Sequence, residues 1–190
     1  AKAPNPPKVT AVAGDGKVTL YWDRSAENSK DKYMGNITNG VDLYDFEGYK
    51  IYRATDFEFN DAYNITDGDG NPTFLEPYVQ DGVRAQWDLV DGKSGWHPVD
   101  LNGIKYYLGN ETGLVHSYID NDVVNGQRYY YAVVSYDYGG DLTNNIIPSD
   151  SPMKLRVNPL TGAVSLGPNV VEVVPSPPSA GFVDASFAGD

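Results

Sequence analysis

The dipeptide Asn125-Gly126 stands just ahead of Tyr129-Tyr130-Tyr131-Ala132-Val133-Val134-Ser135-Tyr136, and this pairing constrains the fold more than any other stretch of the chain. Asn-Gly supplies the left-handed backbone of a tight turn, and a run of aromatic and β-branched side chains suits a pleated strand. A period of two sets Tyr129, Tyr131 and Val133 on one face and Tyr130, Ala132, Val134 and Tyr136 on the other. Gly139-Gly140 closes the strand, and Met153-Lys154-Leu155-Arg156-Val157 is expected as the final one, after Pro148 and Pro152. No segment has the periodicity of a long helix.

The same alternation recurs upstream. Val9, Ala11 and Ala13 form a first edge strand ending at Gly14-Asp15-Gly16, and Lys17–Asp23 places Val18, Leu20 and Trp22 on one face, with Thr19 and Tyr21 on the other. Gly48-Tyr49-Lys50-Ile51-Tyr52-Arg53 repeats the pattern with Tyr49 and Ile51 inward, and a polar, irregular connection fills residues 24–47. The opening Ala3-Pro4-Asn5-Pro6-Pro7 reads as extended chain entering a domain, because proline donates no ladder hydrogen bond.

These elements resemble the fibronectin type III family. The residues that carry the likeness are Pro7-x-x-Val-x-Ala, Val-x-Leu-x-Trp at 18–22, Gly-Tyr-x-Ile-Tyr-Arg at 48–53, Asn-Gly-x-x-Tyr-x-Tyr-x-Val at 125–133, and Ser151-Pro152. The resemblance implies an all-β, Ig-like sandwich over residues 1–56 and 117–158, with Tyr129 in the place of the tyrosine-corner residue. Such a domain needs only about 100 residues. Residues 57–116 are therefore an insertion, expected to be an ordered and mostly-β subdomain, since Asp67-Gly68, Asp69-Gly70, Asp81-Gly82, Asp91-Gly92 and Asn102-Gly103 punctuate apolar segments. Residues 159–190 read as a short β extension, Ala163–Leu166 and Val170–Val174, followed by a Pro-rich linker. Asn169–Pro175 is similar to the segment that precedes C-terminal sorting modules in type IX secreted surface proteins, although Ser176-Pro177-Pro178 departs from the usual continuation.

A formal net charge of -12 argues against nucleic acid as a partner. The absence of cysteine rules out a disulfide framework, a thiolate metal site and a cysteine nucleophile, and leans toward a bacterial exterior. With Ala1 as first residue, and with no apolar run of about 18 residues, the chain reads as a processed product or part of a larger protein with no membrane span in it.

Two constellations are candidates for binding. Asp67, Asp69 and Asn71 place oxygen ligands at alternate positions, as the first half of a calcium loop does, but Pro72 and Tyr78 stand where that loop needs Gly and Glu, and a plain Asp-Gly turn explains the segment as well. Asp56, Glu58 and Asp61, and Asp120, Asn121 and Asp122, offer further oxygen ligands able to join a Ca2+ site. Trp87, Trp96, Tyr106 and Tyr107 form either a platform for sugar rings or the small core of the insertion. His97 and His116 have no zinc-ligand spacing, and neither a nucleophile elbow nor a phosphate loop occurs. Asn36, Asn64 and Asn110 each begin an Asn-x-Thr acceptor. The expectation is a non-catalytic extracellular or cell-surface module for assembly or adhesion, with other surface proteins or domains of the same polypeptide as partners. The alternative is a carbohydrate-binding accessory module of a secreted polysaccharide-degrading enzyme. No cofactor is required in either reading.

Overall fold

A computed structural model describes residues 1–153 and 155–179. The chain is mostly β. Its strands are β1 (Val9–Gly14), β2 (Lys17–Trp22), β3 (Phe46–Ala54), β4 (Ile65–Thr66), β5 (Pro72–Phe74), β6 (Val79–Gln80), β7 (Val83–Arg84) and β8 (Gln86–Asp88), then β9 (Trp96–Leu101), β10 (Ile104–Tyr107), β11 (Ser117–Asp120), β12 (Tyr129–Asp137), β13 (Leu155–Val157), β14 (Val164–Leu166) and β15 (Val170–Val173). The polar connection between β2 and β3 holds a 3-10 turn (Ser25–Asn28) and a short α-helix, α1 (Lys32–Ile37), whose first turn is capped by the Asp31 carboxylate accepting from Tyr33 N and Met34 N.

Two antiparallel sheets form the body, one ordered β1-β2-β11 and the other β15-β12-β3-β8. Between them lies an apolar cluster to which β2 gives Val18, Leu20 and Trp22, β3 gives Tyr49 and Ile51, and β12 gives Tyr129, Tyr131 and Val133. Each of these follows from the alternation of its strand, and full burial of one such side chain contributes about 1.5–3 kcal/mol. Trp22 meets Tyr49 edge-on with centroids 5.9 Å apart. A polar bridge also ties the sheets together: the buried Asp120 carboxylate of β11 accepts from Arg53, Tyr78 and Tyr131, and from Asp122 N. Just before β12, Tyr129 Oη accepts a hydrogen bond from Val124 N at 2.9 Å, which fixes the chain's entry into the strand.

Every residue of β12 is buried, because the outer face of its sheet is covered as well. Tyr130, Ala132 and Val134 pack there with Tyr52, Ala54, Phe59, Ala62 and Val170. This double burial decides which segment pairs with β12. The segment 153–157, expected as the last sandwich strand, instead puts Leu155–Val157 into a hairpin with β14, and Lys154 lies outside the described residues. β15 takes the place beside β12, pairing Tyr129 with Val173 and Ala132 with Val170. A strand at that edge must present apolar side chains to both cores. Val170, Val171 and Val173 do so, whereas Arg156 would bury a charge. The extension expected over 159–190 therefore supplies part of the main sheet, and the linker expected at its end lies outside the described residues beyond Ser179.

The segment 57–116 is likewise divided rather than set apart. Its β8 extends the main sheet by pairing with β3, Tyr49 opposite Trp87 and Lys50 opposite Gln86. Its other strands form hairpins, β4 with β5, β6 with β7 and β9 with β10. Asp81-Gly82 and Asn102-Gly103 turn two of them with positive φ at both residues, as tight primed turns require.

Candidate functional site

The outer face of the main sheet also bears a groove. Where β3 and β8 run side by side, the buried Lys50 and Gln86, at paired positions, floor a groove of about 650 Å3. The β4–β5 hairpin and the residues after it form one wall, with Ile65, Phe74 and Leu75. The β9–β10 hairpin forms the other, with Trp96, Tyr106 and Tyr107, and residues 147–150 close one end.

The floor is polar and internally paired. Lys50 Nζ lies 3.2 Å from Asp150 Oδ1, Tyr52 Oη donates to Asp150 Oδ2 at 2.6 Å, and Tyr106 Oη also donates to Asp150. The Lys50 ammonium sits over the Tyr106 ring at 3.8 Å and near the Tyr136 ring at 5.0 Å. Burial pulls the lysine downward in pKa while Asp150 opposes it, and burial followed by the Asp150 charge pushes both phenols up. The cluster thus holds a cation, a carboxylate and two phenols in mutual hydrogen bonds, which fixes the shape of the floor.

The rim is aromatic. Trp96 is 62% exposed and lies against Tyr107 with ring centroids 5.1 Å apart. The Arg84 guanidinium sits over the Tyr107 ring, 4.9 Å from its centroid. Of the four aromatic residues singled out from the sequence, Trp96, Tyr106 and Tyr107 meet in this groove. Trp87 points the opposite way, into the space between the sheets, 5.8 Å from Trp22 and 5.4 Å from Tyr118. On β8 the regular alternation Gln86-Trp87-Asp88 carries that distinction, whereas a register shift between Lys105 and Tyr107 lets the neighbours Tyr106 and Tyr107 both line the groove. Sequence reasoning missed Lys50, Arg84, Lys105 and Asp150. Lys50 was legible as the residue between inward Tyr49 and Ile51, but its partner is 100 residues away.

The oxygen-rich turn closes on itself. Asp67 Oδ1 accepts from Asp69 N at 3.0 Å and from Asn71 N at 2.9 Å, and the Asn71 side chain also donates to the same carboxylate. These bonds, those from Asn71 first, hold the Asp67 pKa below its ordinary value. The neighbouring acids are engaged separately: Asp56 accepts from Glu58 N and Asn60 N, Asp61 from Thr55, and Asp120 from the donors between the sheets. Among the described residues no three His, Cys, Asp or Glu side chains are grouped as metal ligands would be. His97 is buried, with Nε2 2.8 Å from Gly140 O and Nδ1 3.2 Å from Val99 N. No described helix is long and apolar enough to cross a membrane.

A second polar region lies at the start of β3. Glu47 and Asp45 are buried, and both oxygens of Glu47 and Oδ2 of Asp45 lack a hydrogen-bond partner. Burial, followed by the charge of Asp137, raises Asp45 to about 7, and burial followed by that of Asp91 raises Glu47 to about 8. Asp137 rises to about 6 through burial, against its bonds from Ser149 and Gly139. At pH 7 Glu47 is therefore mostly protonated, Asp45 is near its midpoint and Asp137 is mostly ionised. No protein-family model, curated protein or solved structure matches the chain.

Proposed function

We propose that this chain is a fibronectin type III-like sandwich acting as a non-catalytic adhesion module of an extracellular or cell-surface bacterial protein, and that it binds carbohydrate in the groove over β3 and β8. The strand order β1-β2-β11 against β15-β12-β3 supports the family reading, since it corresponds to the A-B-E and G-F-C arrangement of Ig-like sandwiches. The bond between Val124 N and Tyr129 supports it too. The observation that carries the binding role is the exposed Trp96–Tyr107 rim above a hydrogen-bonded polar floor. Flat aromatic faces accept the apolar faces of sugar rings, and fixed polar groups beneath them select hydroxyls.

Assembly through strand pairing is the competing route, and the sheet edges favour the groove over it. The β1 edge is engaged by Val9 N donating to Pro168 O and by Ser176 N donating to Gly14 O. Gln80 Nε2 donates to Ile119 O on β11, and Thr112 accepts from Asp88 N on β8. Edges occupied in this way offer fewer free groups to a second chain. Glycan-array binding by the wild-type chain, lost in Trp96→Ala and Tyr107→Ala without loss of folding, is the expected result. A wild-type chain that binds no glycan, or a Trp96→Ala variant that binds undiminished, defeats the proposal.

A further inference from the structure

We infer that the saccharide taken by this groove is anionic, a polymer carrying uronate carboxylates; the inference rests on the carbohydrate reading above. The chain has a formal net charge of -12, yet the groove runs against that balance. Lys50 and Asp150 on its floor neutralise one another, and on its walls Arg84 and Lys105 outnumber the single carboxylate of Glu76. Among the described residues neither Arg84 nor Lys105 has a carboxylate within ion-pair distance, whereas Arg53, Lys93 and Arg128 do. Lys105 is exposed and Arg84 is partly so, which leaves both cations able to meet a ligand.

The placement of Arg84 matters more than the count. Trp96 lies against Tyr107 with the rings 5.1 Å apart and inclined at 57°, and the Arg84 guanidinium sits over the Tyr107 ring, 4.9 Å from its centroid. A sugar ring stacked on the exposed Trp96 puts a neighbouring residue of its chain within reach of the guanidinium beyond Tyr107. A carboxylate on that residue receives the planar fork of donors that arginine offers, while the aromatic surface keeps the site partly dry. Asp100 stands opposite Lys105 across the hairpin and offsets part of its charge, so Arg84 carries more of the attraction, and at physiological ionic strength acids more than about 8 Å away are largely screened. An acidic peptide satisfies the cations but leaves the Trp96–Tyr107 pair without a flat partner, so the saccharide is favoured.

The test uses the full chain in calorimetric titrations with oligomers of galacturonate, guluronate and glucuronate, each beside its carboxyl-reduced neutral form, and with oligoglutamate as the peptide probe. At least one oligouronate is expected to bind about tenfold more tightly than its neutral form, with an affinity that falls as salt is raised. Arg84→Gln combined with Lys105→Gln is expected to abolish that difference, and Trp96→Ala to weaken both forms. The wild-type salt dependence gives the same answer without any variant. Equal binding of charged and reduced forms overturns the anionic inference and leaves the carbohydrate reading standing. Binding of oligoglutamate in preference to every saccharide overturns both, and binding of no probe at all overturns the anionic inference.

Discussion

Glu47→Gln should make the protein more stable in a pH-dependent way, and the size of the effect follows from where the side chain sits. Glu47 is fully buried, and neither of its oxygens meets a donor. The charges that face it are Asp91, Asp88 and Glu111, opposed by Lys93, and with burial as the main cause its pKa rises from an ordinary 4.5 to about 8. A carboxyl raised on folding contributes its full stability below the unfolded value near 4.5 and loses it as pH climbs to the folded value near 8. Within that window each pH unit costs about 1.4 kcal/mol, so the loss between pH 5 and pH 8 is roughly 3–4 kcal/mol. Glutamine has the same shape and no charge to shed in either state. The cost of an unpartnered buried polar group, about 1–3 kcal/mol, remains in both proteins and cancels in the comparison. Thermal unfolding followed by circular dichroism at pH 5 and pH 8 should therefore show the two nearly level at the lower pH. At the higher pH the variant should melt roughly 10 °C above wild type, given about 2–4 °C per kcal/mol for a chain of this size. Asp45 and Asp137 lower the stability of both proteins alike as pH rises and leave the difference intact. A constant offset between variant and wild type at the two pH values would refute the reasoning.

Gly48→Ala should destabilise the sheet by about 2–3 kcal/mol, measured by urea unfolding, because a Cβ there would lie 2.2 Å from Trp87 O and 2.7 Å from Tyr136 Oη. A chain ending at Pro168 should lose about 4 kcal/mol or more in the same assay, as it removes buried Val170 and Val173 and uncovers the edge of β12. Trp87→Ala should cost about 3–5 kcal/mol, and Trp96→Ala less than about 1, so the two tryptophans separate in unfolding midpoints. Since the Asp67 carboxylate already accepts from its own turn, replacing calcium with chelator should leave the melting temperature unchanged. A rise of several degrees in calcium would refute that expectation and support ion binding by Asp67, Asp69 and Asn71.

How much of this could be read from the residues alone depends on whether one strand or several decide the answer. Val18, Leu20, Trp22, Tyr49 and Ile51 are buried where alternation puts them, since a strand's period is a local property. The Asp81-Gly82 and Asn102-Gly103 turns are local in the same sense, because their backbone conformation suits Asp, Asn and Gly. Which segment lies beside β12 is not local. Leu155–Val157 and Val170–Val173 are both plausible strands, and the choice rests on the outer face of β12 also being buried, under a second core built from residues 52–62 and 153–170. The run Tyr129–Tyr136 has large side chains on both faces, so the demand for a partner apolar on both faces was written in β12 itself, in the strand that needed the neighbour.

The groove lies at the far end of that scale. Its floor exists because Lys50, outward on β3, is met by Asp150 from the loop after β12 and by Tyr106 from a hairpin in between. None of the three segments carries a motif that points to the others. Trp96, Tyr106 and Tyr107 were recognisable as aromatic mass, but the same composition serves a core, and Trp87, a few residues upstream, does pack in one. The two roles differ in the backbone behind them. Trp87 sits on a strand hydrogen-bonded into the main sheet, so one of its faces must join the sandwich. Trp96 opens a hairpin that pairs only with itself, and a hairpin of that kind can leave a large ring in solvent at the rim of a groove, where a ligand rather than the fold completes its packing.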